Sequence, residues 1–85
     1  NCQLSNTLNP FNTCQFGTFF EIFSSTGTLE TGAVLYFDAY GNNLVTGYRA
    51  IVNNPMDCRI WELGAIDGVV GNDTGDMCQD FGGCR

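Results

Sequence analysis

Five cysteines in 85 residues constrain this chain more than any other feature. They stand at Cys2, Cys14, Cys58, Cys78 and Cys84, so one is left over if the rest pair within one molecule. Two bridges among five thiols can be drawn in many ways, and sequence alone does not choose among them. A bridge closing a long loop constrains the unfolded chain most, by about 3–4 kcal/mol in the entropy treatment. A Cys78–Cys84 bridge would close only a short loop at the end, whereas one from the first strand to the last third would do far more.

At this length the chain reads as one domain over 1–85, with 79–85 an irregular tail. A domain this small buries a modest share of its unfolded surface, and such scaffolds commonly need covalent staples. Cysteine density of this kind points to an oxidising compartment. Asn1 in place of methionine reads as a mature chain released from a signal peptide. No apolar run reaches the roughly 18 residues that cross a bilayer. The expectation is a secreted protein with no membrane insertion.

Charge and composition remove several function classes. Three basic residues stand against nine carboxylates, a net charge of −6. Nucleic-acid binding needs Lys and Arg to neutralise phosphates, as does attachment to anionic membranes. Neither is expected. The chain has no histidine, which excludes Ser-His-Asp and Cys-His catalysis and histidine-bearing zinc sites. Cys84 has only Arg85 as a basic neighbour, a poor setting for an activated nucleophile. The reading is a non-enzyme, with no cofactor and no metal.

Eleven glycines and many Asn, Asp, Ser and Thr clusters punctuate short apolar runs. That is the pattern of short strands joined by tight turns. Strands are predicted at 2–9, 11–17 and 18–25. A polar turn follows at 25–32. In AVLYFDAY (33–40), Ala33, Leu35, Phe37 and Ala39 form the buried face. GNN (41–43) is a hairpin turn, from which 44–52 returns antiparallel with a possible bulge at Gly47. One or two strands are predicted within 58–70, and loop after Gly71. About six short strands make an all-β protein, a compact sandwich or small barrel.

Three local features bear on chemistry. Asp67, Asp73, Asp76 and Asp80 cluster in a Gly-rich stretch, where calcium is conceivable. Their spacing does not match an EF-hand, and a solvated acidic loop is the preferred reading. Asn72-Asp73-Thr74 is an N-glycosylation sequon, so Asn72 is a candidate acceptor. Phe19 and Phe23 share a strand face with Glu21, which makes them candidates for an exposed or edge surface, although burial in the core or over a disulfide is the preferred reading.

The opening NCQLSNTLN, then TCQFGTFFEIFSS, and the later block CRIWELGAIDGVVGNDTGDMC (58–78) carry a resemblance. Together they resemble the ToxB-like MAX effectors, secreted proteins of plant-pathogenic ascomycete fungi that share a fold far more than a sequence. The likeness covers roughly the first 24 and last 28 residues, and the 33–52 hairpin departs from it. It implies a sandwich of two three-stranded antiparallel sheets, with Cys2 paired to Cys58 and Cys14 to Cys78. Cys84 is then the spare, unpaired or linking two molecules, unless it displaces Cys78 as the partner of Cys14.

The resemblance further implies a virulence protein, or toxin, that binds a host plant protein, some relatives docking a strand edge on immune-receptor domains. The binding residues are unknown, and entry into the host cell is part of the same expectation. A small secreted protease inhibitor or killer-type antimicrobial protein is the alternative, presenting 25–32 or 41–49 as a rigid loop.

Overall fold

The computed structural model describes residues 2–53 and 58–83. Seven strands and one helix run in the order β1 (Cys2–Ser5), α1 (Pro10–Phe16), β2 (Thr18–Phe20), β3 (Phe23–Ser24), β4 (Leu35–Tyr36), β5 (Ala50–Asn53), β6 (Arg59–Leu63) and β7 (Val70–Met77). A 3-10 turn follows at Cys78–Phe81. The protein is thus mostly strand, as its turn-rich pattern implies. The strands divide five and two, not three and three: an antiparallel sheet in the order β2-β1-β5-β6-β7, and a separate β3–β4 ribbon.

The segment 11–17 is helix instead of the expected strand, and its start explains why. Asn9 caps the helix, its side-chain oxygen accepting from the Asn12 backbone N–H at 3.1 Å. Pro10 occupies the first turn, where its missing N–H costs nothing. Gly17 ends the helix, donating its N–H to the Thr13 carbonyl. A Cβ at Gly17 would lie 2.5 Å from that carbonyl oxygen, so the close approach requires glycine. Seven residues of helix are marginal alone. Burial of Thr13 and Cys14 against the sheet holds this one in place.

The expected strand 18–25 splits in two, because the chain leaves the large sheet after Phe20 and enters the ribbon at Phe23. Residues 33–37 follow the expected alternation, with Ala33 and Leu35 fully buried and Phe37 half-buried, but Ala39 is exposed. The turn at 41–43 forms around Asp38, whose carboxylate accepts the N–H groups of Asn42 and Asn43 at 2.9 and 2.8 Å. Its return is short. Leu44 bridges Tyr36, and the chain then departs to form β5 at the centre of the large sheet.

Residues 72–77 are not loop. They complete β7, paired with β6 through a register that slips twice. The slips absorb Gly75 at φ 82°, whose N–H is held by the Asp73 carboxylate. Thr74 donates its hydroxyl to the Ile60 carbonyl at 2.7 Å, tying the bulged strand to its neighbour.

Directly opposed residues on antiparallel strands share a face. Leu4, Ile51 and Trp61 are opposed in turn and point to one side, where they pack with Ala33, Leu35, Val45, Leu63 and Val70 under the ribbon. Gln3, Val52 and Ile60 point to the other. There Val52 and Ile60 pack with Ala50, Cys14, Cys58 and Cys78 beneath α1 and the 3-10 turn.

This two-faced sheet sorts the cysteines. Cys14 and Cys78 lie under α1 and form a disulfide. Cys2 is a free thiol, so the Cys2–Cys58 pairing implied by the family resemblance is absent. The physical reason is alternation: Cys2 sits two residues from Leu4 and packs on the ribbon side, whereas Cys58 belongs to the helix side. Cys58 is itself disulfide-bonded. The expectation for Cys84 falls outside the described residues. Peptide mapping of the unreduced protein should recover Cys14 linked to Cys78 and Cys2 alkylated; a peptide joining Cys2 to Cys58 would contradict the arrangement.

Candidate interaction surface

The large sheet has two outer strands, and they differ. β7 is long, twice bulged, and carries exposed Asn72 and Asp73. Asp73 pairs with Arg59 at 3.1 Å. Bulges and charges on an outer strand discourage pairing with another chain. β2 has neither protection. It is three residues long, and Phe19 at its centre is 44% exposed.

Aromatic side chains gather beside β2. Phe19 lies opposite Gln3, and the Gln3 amide donates to the Cys14 carbonyl at 2.9 Å. Phe19 therefore projects from the face that carries α1. Phe16 at the end of α1 is 74% exposed, and its ring meets that of Phe11 edge-on at 6.1 Å. Phe20 points to the opposite face and is anchored by Phe37 and Tyr48, with ring centroids at 5.1 and 5.9 Å. One side of the strand is thus fixed in the core while the other offers aromatic surface. A groove of about 340 Å³ opens alongside, lined in part by Ser5, Asn6, Asn12, Phe16, Thr18 and Tyr48.

The acidic residues singled out in the sequence do not converge. Asp67 accepts from the Val69 N–H within its own turn, Asp73 is occupied by Arg59 and Gly75, and Asp80 lies in the 3-10 turn. Among the described residues, no three His, Cys, Asp or Glu side chains are grouped to hold a metal. Asn72 is exposed on β7, so its side chain is open to solvent. Among the same residues, no helix is long and apolar enough to cross a membrane.

Nothing in the spacing of the cysteines marks Cys2 as the free thiol. It lines a second concavity, between β1, β5 and the ribbon. Burial pushes its pKa up, partly offset by the positive charge at the chain's start. Burial favours the neutral thiol, so folding holds a proton that the unfolded chain releases sooner. Two results are expected. Iodoacetamide labelling of Cys2 in the folded protein should rise only above the pH at which an ordinary thiol ionises. Stability conferred by the buried thiol should be fully present below that ordinary range and lost as pH climbs through the raised value. A labelling profile matching that of a free peptide thiol would contradict both.

No protein-family model, curated protein or solved structure matches the chain.

Proposed function

We propose that this chain is a secreted, non-enzymatic effector of a plant-pathogenic fungus, of the ToxB-like MAX type, that binds a host plant protein through its β2 edge. The observation that carries the interaction surface is exposed Phe19 on β2, the outer strand of the large sheet that neither bulges nor charges protect, preceded in the chain by a helix whose Phe11 and Phe16 are also exposed. Large apolar groups left in water on a small acidic protein mark a contact surface, and an open strand edge offers main-chain hydrogen bonds to an extended segment. The Cys14–Cys78 bridge ties α1 to the 3-10 turn after β7 and stiffens the fold that carries this edge, so less ordering entropy opposes binding. The effector assignment draws its support from the resemblance in the cysteine-bearing blocks. The test is infiltration of the purified protein into leaves of several plant hosts, with retrieval of plant proteins on the immobilised protein. A response confined to certain hosts, together with a retained partner, is expected. No host-specific response and no plant partner would remove the basis of the reading.

A protease inhibitor or killer-type antimicrobial protein is the second reading. It draws on the 38–43 turn, where Asp38 clamps two backbone N–H groups and holds out Tyr40, 87% exposed. Incubation with a protease panel and with microbial cultures separates the two. Tight inhibition or growth arrest, abolished by Tyr40→Ala, would favour this second reading over the first.

A further inference from the structure

The ribbon does not seal the sheet beneath it. Over most of that face Phe20, Phe37, Tyr48 and Trp61 fill the space between the layers. Toward the Cys2 end of β1 they do not reach, and a cleft of about 370 Å³ remains. Fully buried Leu35 and Ile51 form its floor, and Ile22 and Leu29 are its apolar walls. Thr28 and Asn53 add polar groups, and the free thiol of Cys2 faces the same space. At the tip of the ribbon Gly27, at φ 81°, adds no side chain, and the Ser24 hydroxyl donates to the Thr28 carbonyl within the turn at 2.6 Å.

We propose that this cleft is a binding site for a small amphipathic molecule. Its volume lies within the range typical of small-molecule sites, and its lining sets the aliphatic side chains of Ile22, Leu29, Leu35 and Ile51 beside a similar extent of polar surface. No charged side chain is among the described residues that line it. The occupant places an apolar body against Leu29, Leu35 and Ile51 and a hydrogen-bonding end toward Thr28 or Asn53. This site is separate from the β2 edge and stands or falls independently of the effector reading.

Cys2 provides the assay. N-Phenyl-1-naphthylamine, a neutral apolar fluorophore, is titrated into the native protein, and iodoacetamide labelling of Cys2 is followed in mildly alkaline buffer. Saturable fluorescence with one probe per chain is expected. At ten times its Kd the probe should slow Cys2 labelling about tenfold, because only the unliganded fraction reacts. Leu29→Trp, which fills the cleft from its half-buried wall, should abolish both effects while leaving the far-ultraviolet circular dichroism and the cooperative urea unfolding intact. Absence of saturable fluorescence in the wild-type protein would overturn the proposal without recourse to any variant. So would probe binding that leaves the labelling of Cys2 unchanged, or a folded Leu29→Trp protein that binds the probe as the wild type does.

Discussion

Replacing Cys14 and Cys78 together by alanine is expected to lower stability by about 4 kcal/mol, the value that the loop-entropy relation gives for a bridge of this span. The two cysteines are 64 positions apart, so the bridge encloses most of the chain. Its loss also acts locally. The seven-residue helix α1 is too short to persist by itself, and the Gln15 side chain that donates to the Phe81 carbonyl at 2.8 Å is a weak substitute for a covalent tie. Domains of this size have a total stability of roughly 4–13 kcal/mol. The double variant should therefore unfold at a much lower urea concentration, followed by the fluorescence of the single tryptophan, Trp61. A loss below about 1 kcal/mol would mean that packing alone docks α1, because it falls outside the range usual for removal of a native bridge.

Ile51→Ala should cost about 2–5 kcal/mol, the usual range for truncating a buried aliphatic side chain. Ile51 is fully buried on β5, the middle strand of the large sheet, opposed on either side by Leu4 and Trp61. Because it also floors the ribbon-side cleft, truncation would enlarge an existing space that its neighbours already fail to fill. Ile66→Ala is the matched control. Ile66 is 88% exposed, and a surface truncation should stay within about 0.5 kcal/mol. Equal effects at the two positions, measured by urea unfolding, would contradict the placement of the core on this face.

Local chemistry made part of this fold legible. The alternation of Ala33 and Leu35 against Val34 and Tyr36 and the Gly-Asn-Asn turn follow from short-range patterning. The helix start at Asn9-Pro10, a cap followed by a first-turn proline, was masked by the neighbouring Phe11, Thr13 and Phe16, which favour a strand by intrinsic preference. β7 was not legible. Its Gly- and Asp-rich sequence has poor strand propensity, and it is extended because β6 pairs with it and Thr74 reaches back to Ile60. The fate of Cys2 was hidden for a related reason. β1 lies between β2 and β5. Which face a cysteine occupies relative to another depends on those distant pairings, which spacing along the chain does not encode.

The same topology leaves β2 open and β7 guarded, and the proposed interaction depends on that difference. Phe16 and Phe19 are exposed enough that changing both to aspartate should alter stability little, while placing charge where an apolar partner surface would meet the edge. The decisive measurement is retention of a host plant protein by three immobilised forms: wild type, Phe16→Asp/Phe19→Asp, and Asp76→Asn on β7. Wild type and the Asp76 variant should retain the partner equally, and the double phenylalanine variant should lose it. A partner held equally by all three, or lost only with the β7 change, would show that the β2 edge is not the interaction surface.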